Sequence, residues 1–240
     1  MISVCMATYN GEKYLAEQLK SILSQLADDD EVIISDDNSS DGTLSVIASL
    51  NDPRVKVYNH LTEDSKFKID RVAHNFENAL SHCHGDYIFF SDHDDVWKSN
   101  KVELMMNSLQ KVDVVVSDCV VTDESLNVLY ESYFGSIRKP RKTIIGNFCK
   151  SSFLGSCMAF RRCVMSKALP LPQYGVGHDL WIGIVGLKYF RVSFLYEPLI
   201  YYRRHAAVVT VGGTKSHTSL LFKIGYRFYL LKSILKLYLK

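Results

Sequence analysis

The sequence predicts an α/β protein built on a mostly parallel sheet, and three observations carry that expectation. Short apolar runs of strand length alternate with stretches of helical periodicity through roughly the first half of the chain. Strand–helix–strand units of this spacing leave room for a crossover, which favours parallel pairing and right-handed connections. The 240 residues, 47% hydrophobic and 22% charged, have an ordinary globular composition and can bury one sizeable core.

Residues 3–7 (Ser-Val-Cys-Met-Ala) read as the first strand, and Leu15, Leu19, Ile22, Leu23 and Leu26 then recur at helical spacing. Residues 31–35 form a second strand, and Leu44, Ile47, Ala48 and Leu50 mark a second helix. Residues 55–58 are strand-like, and Ala73, Phe76, Leu80 and Cys83 mark a third helix. The apolar run at 87–91 is a buried strand that leads straight into Asp92-His93-Asp94-Asp95. Val102, Met105, Leu109 and Val112 make a fourth helix, followed by a strand at 114–117. The pattern changes after Asp118. Residues 120–133 read as a hairpin turning at Asp123-Glu124-Ser125, and 138–142 as a basic loop containing a proline. Residues 156–161 and 191–196 read as strands, and 179–187 as a helix with Trp181, Ile184 and Val185 on one face.

None of the 6 cysteines forms a C-x-x-C pair, so structural zinc is not expected. Cys5, Cys119 and Cys157 lie in apolar runs and read as small buried hydrophobes, which points to a reducing compartment. The chain starts directly in a strand, without a basic segment or cleavage site, so a secretory signal is not expected. The net charge of +2 is unevenly spread. No acidic residue follows Glu197, whereas Arg203, Arg204, Lys215, Lys223, Arg227, Lys232, Lys236 and Lys240 do. Residues 1–197 are therefore net acidic and the end is basic, which suggests an anionic partner for that end. Residues 220–239 are apolar but carry Lys223, Arg227, Lys232 and Lys236, too many cations for a spanning helix. Lys232, Lys236 and Lys240 share one helical face, with Leu231, Ile234, Leu235 and Tyr238 mostly away from it. This suits either a helix lying on anionic lipid or one packed on the body with solvated lysines.

Three polar clusters follow strand candidates, at 8–12, 36–42 and 92–95, and in a parallel sheet all three gather at one edge. Asp92, Asp94 and Asp95 repel one another unless cations sit among them, and such oxygen-rich strand ends suit Mg²⁺ or Mn²⁺. The plain alternative is a solvated acidic turn. Residues 36–42 also have the composition of a turn and helix cap, with Ser39, Ser40 or Asp41 as the cap.

Met6-Ala7-Thr8-Tyr9-Asn10-Gly11-Glu12, Ser35-Asp36-Asp37-Asn38-Ser39-Ser40-Asp41-Gly42-Thr43, Ser91-Asp92-His93-Asp94-Asp95-Val96-Trp97 and His178-Asp179-Leu180-Trp181 occur in that order. In order and spacing they resemble family 2 glycosyltransferases with the GT-A fold, over about residues 1–205. The Asp-His-Asp-Asp-Val-Trp, His-Asp-x-Trp and Tyr-Arg-Arg-His set resembles most the rhamnosyltransferase-like branch. The resemblance implies a Rossmann-like, mostly parallel central sheet with flanking helices and a smaller acceptor-side subregion. Residues 1–118 would bind the nucleotide sugar, 119–205 the acceptor, and 206–240 would form a basic loop and amphipathic helix.

It implies roles as well. Thr8, Tyr9 and Glu12 would line the nucleotide pocket, with Tyr9 near the base. Asp37, beside Asp36, would accept the N3–H of uracil or thymine. Asp92 and Asp94 resemble the D-x-D pair: Asp94 would bind Mg²⁺ or Mn²⁺, and Asp92 the ribose or the metal. Arg204 would hold the diphosphate and His205 would supply a metal ligand, unless that segment is a solvated basic turn. Residues 208–217 could close over the donor. Asp179 resembles the catalytic base, with a helix N-cap as the plain alternative. Many relatives have Glu-Asp there, so the role of His178 stays open.

The implied activity is inverting transfer of a sugar from a UDP- or dTDP-linked donor, with dTDP-rhamnose favoured by the branch. The acceptor would be a saccharide or lipid-linked, in surface polysaccharide biosynthesis. The place would be the cytoplasm, peripheral on the inner face of the cell membrane. No nucleic-acid partner is expected from an acidic body without a nucleic-acid motif. Two rivals remain: a nucleotidyltransferase, disfavoured because no Gly-rich basic loop follows the first strand, and a binding module with an inactive site.

Overall fold

The computed structural model describes residues 1–60, 68–172, 174–205 and 220–239, with residues 68 and 220–223 described by backbone alone. The 208–217 loop, Lys215, Lys240 and the Lys223 side chain lie outside this description.

The first half follows the expected alternation: β1 (Ile2–Thr8), α1 (Leu15–Leu23), β2 (Glu31–Asp36), α2 (Thr43–Leu50), β3 (Val55–Asn59), α3 (Lys68–His82), β4 (Tyr87–Asp92), β5 (Val96–Trp97) and α4 (Lys101–Leu109). Every residue of β1 and β2 is buried, as expected of parallel strands covered on both faces. β1 pairs in parallel with β2 on one side and β4 on the other, and β2 with β3. The chain therefore reverses direction across the sheet between β1 and β4, the kind of switch point where a ligand crevice opens beyond the strand ends. The register sets Thr8 beside Asp36 and Ala7 beside Asp92 at that edge.

The second half departs from the expected elements. β6 (Val114–Thr122) runs unbroken through Asp118, and the hairpin reduces to the short β7 (Val128–Tyr130) paired to its end. Tyr133 starts α5 (Tyr133–Ser136), and α6 (Ile144–Cys149) follows the basic loop. β8 (Met158–Arg161) begins two residues later than expected, after a 3₁₀ turn at Gly155–Cys157. Then come α7 (Met165–Ala168), α8 (His178–Tyr189), β9 (Val192–Arg203) and α9 (Leu220–Leu239). β9 extends seven residues past the expected end, to Arg203. It pairs in parallel with β6, with irregularities where Asp118 meets Pro198. Proline lacks the N–H a regular ladder needs, so the break falls there.

The sheet order is β3-β2-β1-β4-β8-β6-β9-β5, with β7 on β6. β8 is antiparallel to both β4 and β6, and β5 to β9. An aromatic seam lies behind the edge that carries the carboxylates. Phe90 meets Phe76 and Phe160 edge-on at 5.2 and 5.1 Å between centroids. α8 is buried on nearly all sides, Leu180, Ile182, Gly183 and Gly186 included, so it is a central helix rather than the one-faced helix the spacing suggested.

α9 also differs from expectation. Leu230, Ile234 and Leu237 dock on the body, while Ile224, Phe228, Leu231, Leu235 and Tyr238 form an exposed stripe beside exposed Lys232 and Lys236. Ile234 therefore belongs to the docked face, apart from Leu231 and Leu235. Among the described residues no helix is long and apolar enough to cross a membrane.

Candidate active site

The end of β4 and the turn after it present Asp92, Asp94 and Asp95, with one oxygen from each within 4.8 Å of the others. Each carboxylate is held differently. Asp92 Oδ2 accepts the Ser156 hydroxyl at 2.6 Å. Asp94 Oδ2 lies 2.9 Å from His205 Nε2. Asp95 is fully buried; its Oδ1 accepts the Arg203 N–H at 2.9 Å, and its Oδ2 has no donor among the described residues. The charges register in the pKa values. Burial, then the charge of Asp94, pushes Asp92 up to about 6. Burial and the charges of Asp94 and Asp92 hold Asp95 well above the usual carboxylate range. Burial works the same way on Asp94, but the His205 hydrogen bond and the neighbouring histidines outweigh it and lower its pKa.

Two buried cations flank the cluster. Arg203, only 4% exposed, donates from Nε to the Asp94 carbonyl at 2.8 Å, from Nη1 to the Glu124 carbonyl at 2.6 Å and from Nη2 to Glu17 at 2.7 Å. Its guanidinium lies 4.5 Å from the Tyr14 ring centroid. Lys101 is fully buried in the first turn of α4; its ammonium lies 4.5 Å from the Trp97 ring centroid and donates to the Ser156 carbonyl. Burial lowers its pKa to about 8, against the pull of Cys157 and Asp95.

On the β1–β2 side, Thr8 and Asp36 are each 1% exposed and bonded to one another at 2.9 Å. Asp36 also takes the Ser39 N–H and hydroxyl at 2.9 and 2.6 Å. Both side chains are thus spent on shaping the loop that carries Asp37 and Tyr9. Asp37 pairs with Arg71 at 2.7 Å, and Arg71 lies 5.4 Å from the centroid of the exposed Tyr9 ring. Glu12 accepts the Gly42 N–H at 2.9 Å and so ties the first loop to the start of α2, where Asp41 accepts the Thr43 N–H at 3.0 Å. His93 packs on Gly11, where a Cβ would come within 2.7 Å of the ring, so the first loop can lie against the acidic turn only through a glycine.

Asp179 occupies the first turn of α8, and the Leu180 N–H donates to its Oδ1 at 2.7 Å. That bond and the helix N-terminus favour ionisation. Burial outweighs them and, with the charge of Asp92 added, pushes the pKa up to about 6. His178 turns into the core. Its ring stacks on Phe76 at 3.8 Å and meets Phe90 edge-on at 5.1 Å, and burial drops its pKa to about 3, so it stays neutral. His178 is therefore a packing residue. Its Nε2 is buried without a partner among the described residues. Arg204 caps the strand end through its N–H to the Thr122 carbonyl at 3.0 Å.

The structure thus brings Asp92, Asp94, Asp95 and His205 into one cluster, and Asp92 close enough for its charge to act on Asp179. Thr8, Asp36, Asp37 and Tyr9 form a second group along the same sheet edge. Hard oxygen donors at this spacing, one of them an orphaned buried carboxylate oxygen, fit Mg²⁺ or Mn²⁺. Four contributors escaped the sequence reading: Arg203, Lys101, Ser156 and Arg71. A signal existed for Lys101, since Lys101, Met105 and Leu109 fall four apart on one helical face. Arg203 lay in the Tyr-Arg-Arg-His segment, of which only its neighbours Arg204 and His205 were favoured, and no signal existed for Ser156 or Arg71, whose partners are distant in sequence.

Residues 3–169 match the sequence profile of Glycosyl transferase family 2. The chain is 28% identical over 234 residues to a GalNAc(5)-diNAcBac-PP-undecaprenol beta-1,3-glucosyltransferase of Campylobacter jejuni, covering 95% of this chain and 71% of the relative. It is 37% identical over 107 residues to dTDP-rhamnosyl transferase RfbG of Shigella flexneri, covering 43% of this chain and 36% of the relative. In three dimensions it resembles S. aureus TarS 1-349 in complex with UDP-GlcNAc, with a TM-score of 0.71 and 19% identity, over 96% of this chain and 66% of that one. The chain thus spans a little under two thirds of the TarS fragment's length, and the likeness speaks to the fold.

Proposed function

The chain belongs to glycosyl transferase family 2, and from that premise we propose that it is an inverting, metal-dependent enzyme moving a sugar from a nucleoside diphosphate to a lipid-linked saccharide. One observation carries the reading: the Asp92–Asp94–Asp95 cluster lies near enough to the end of α8 for the charge of Asp92 to act on Asp179, a half-buried carboxylate with a pKa of about 6. A base needs a pKa near the working pH and a position beside the acceptor, and Asp179 has the first.

In this reading Asp37, oriented by Arg71, accepts the base N3–H, and Tyr9 flanks the base. Thr8, Asp36 and Glu12 hold the loops that make this pocket. Arg204 reaches the diphosphate, for which a planar guanidinium suits two parallel hydrogen bonds. Asp92 and Asp94, with His205, would hold Mg²⁺ or Mn²⁺, which when bound neutralises charge on the leaving diphosphate. Asp179 removes the proton from the acceptor hydroxyl as its oxygen attacks the anomeric carbon from the face opposite the diphosphate. The new C–O bond forms as the bond to phosphate breaks, and the configuration inverts.

UDP and dTDP donors are both consistent with Asp37. The undecaprenol-linked acceptor named for the Campylobacter relative supports a lipid-linked one here, and the partial match to RfbG supports dTDP-rhamnose. A thermal-shift screen tests the donor. With Mn²⁺, the fitting UDP or dTDP sugar at 100 times its dissociation constant adds about 2.7 kcal/mol of stability, or roughly 5–10 °C in midpoint for a chain this size. No shift with any UDP or dTDP compound would remove the donor assignment.

The exposed stripe of α9 beside Lys232 and Lys236 supports a peripheral membrane position. Binding to vesicles containing anionic lipid is expected, weakened by salt and reduced about fivefold for each of Lys232→Gln and Lys236→Gln. Equal sedimentation with zwitterionic vesicles would place the contact elsewhere.

A further inference from the structure

A fully buried lysine is costly to fold around, because its charge loses solvation that only close partners restore. Lys101 sits on the inward face of α4 with Met105 and Leu109, where an apolar side chain would complete the core at no such cost. Its ammonium instead donates to the carbonyl of Ser156. The same residue's hydroxyl donates to Asp92 Oδ2 at 2.6 Å. Lysine and serine thus form one chain of contacts from the base of α4 to a carboxylate of the cluster.

The other end of that turn touches α8. A Cβ on Gly155 would lie 2.8 Å from His178 Nε2 and 3.8 Å from the Asp179 Cβ. The first turn of α8 can come this close only because residue 155 has no side chain. His178 is fixed in turn by its stack on Phe76 and its edge contact with Phe90. Lys101 therefore secures a turn with two neighbours: Asp92 through Ser156, and the head of α8 through Gly155.

We propose that Lys101 and Ser156 are positioning residues that lock the metal-binding carboxylate Asp92 in register with the end of α8 that carries Asp179. The inference rests on the reading of Asp92 as a metal ligand. Its readout is binding of Mn²⁺ alone, measured by calorimetric titration of the whole chain. Supporting groups around metal ligands are typically worth 10–100-fold in affinity.

Lys101→Met and Ser156→Ala are each expected to weaken Mn²⁺ binding at least tenfold. The double variant is expected to be no weaker than the poorer single, because both act on one contact chain. Lys101→Arg, which keeps a cationic donor, is expected to recover part of the affinity. The sign discriminates: if Lys101 were only a countercharge, removing it would leave a more negative cluster and tighter Mn²⁺ binding. Affinity that is unchanged or tighter in Lys101→Met, or strictly additive losses in the double variant, would overturn the proposal. Should Lys101→Met fail to fold, Ser156→Ala carries the test, and unchanged Mn²⁺ affinity there overturns it equally. A wild-type chain that takes up no Mn²⁺ would instead refute the metal-site reading, and the positioning role with it.

Discussion

Asp94→Ala is expected to abolish Mn²⁺ binding at the carboxylate cluster and sugar transfer with it. Asp94 has the lowest-lying carboxyl of the three, because His205 and its neighbours hold it ionised while burial lifts Asp92 and Asp95. It is the group most ready to meet a cation at neutral pH. Loss of a ligand should exceed the 10–100-fold cost of losing a supporting contact, so the affinity loss is expected to pass about a hundredfold. Stability should respond differently. Without metal, the repulsion of Asp92 and Asp95 that its removal relieves is set against the lost His205 bond, so the metal-free midpoint should move little, while the Mn²⁺-dependent rise disappears. Calorimetry with MnCl₂, donor hydrolysis and paired melting curves read all three. Retained Mn²⁺ uptake would move the metal site off this cluster.

Asp179→Asn is expected to lower kcat by about 10²–10⁴, the range a positioned acid–base group contributes, with Mn²⁺ affinity unchanged. The amide keeps the shape and the hydrogen bond from Leu180 but cannot take a proton. The pH profile adds an independent signature. Asp179 works ionised, and its pKa is about 6 in the metal-free protein, partly through the charge of Asp92 that a bound cation offsets, so with metal the wild-type rate should level off above pH 7 and fall about tenfold per pH unit on an acid limb lying below that value. Asp92 shares a pKa of about 6 in the metal-free protein, so the profile is to be taken at saturating Mn²⁺, where a bound cation keeps Asp92 ionised. The acid limb then belongs to Asp179, and Asp179→Asn should flatten it. A variant with wild-type kcat, or one that keeps the limb, would end the role of Asp179 as base.

The first four strands and four helices were legible, most of them because they bury a repeating face; β3 is half-exposed and showed only through its alternating valines and its tyrosine. β1, β2 and β4 read as continuous apolar runs, and α1, α3 and α4 as helical stripes. The second half was less legible for specific reasons. Asp118 sits inside β6 at 1% exposure, its charge met by the N–H groups of Cys119 at 2.8 Å and Phe134 at 2.9 Å and by the Ser132 hydroxyl. No local pattern announces a buried aspartate whose donors lie up to 16 residues away. Glu197 and Pro198 likewise interrupt the apolar pattern of β9, and the strand survives them only because β6 breaks register at the same place. α5 and α7 are four residues long and α6 six, too short for a period to show.

In the candidate site, the carboxylates were readable as a cluster and the supporting cations were not. The sequence singled out Tyr201-Tyr202-Arg203-Arg204-His205 and favoured Arg204 and His205. His205 does meet Asp94. Arg203, however, is the buried organiser of the cluster, through Glu17, Asp94, Asp95 and Glu124. Adjacent residues on a strand point to opposite faces, so the end of β9 decided which arginine went inward.

By itself the sequence determined the α/β class, the family and the sheet edge at which the polar clusters gather, because periodicity and strand-end placement are local properties of the chain. Tertiary structure alone decided which charges are buried and what compensates them. It left one oxygen of Asp95 without a donor among the described residues, set Lys101 and Arg203 beside the cluster, turned His178 into the core and raised Asp179 into the range of a working base. Desolvation and pairing depend on neighbours tens of residues away, and those neighbours exist only once the sheet has brought its strand ends together.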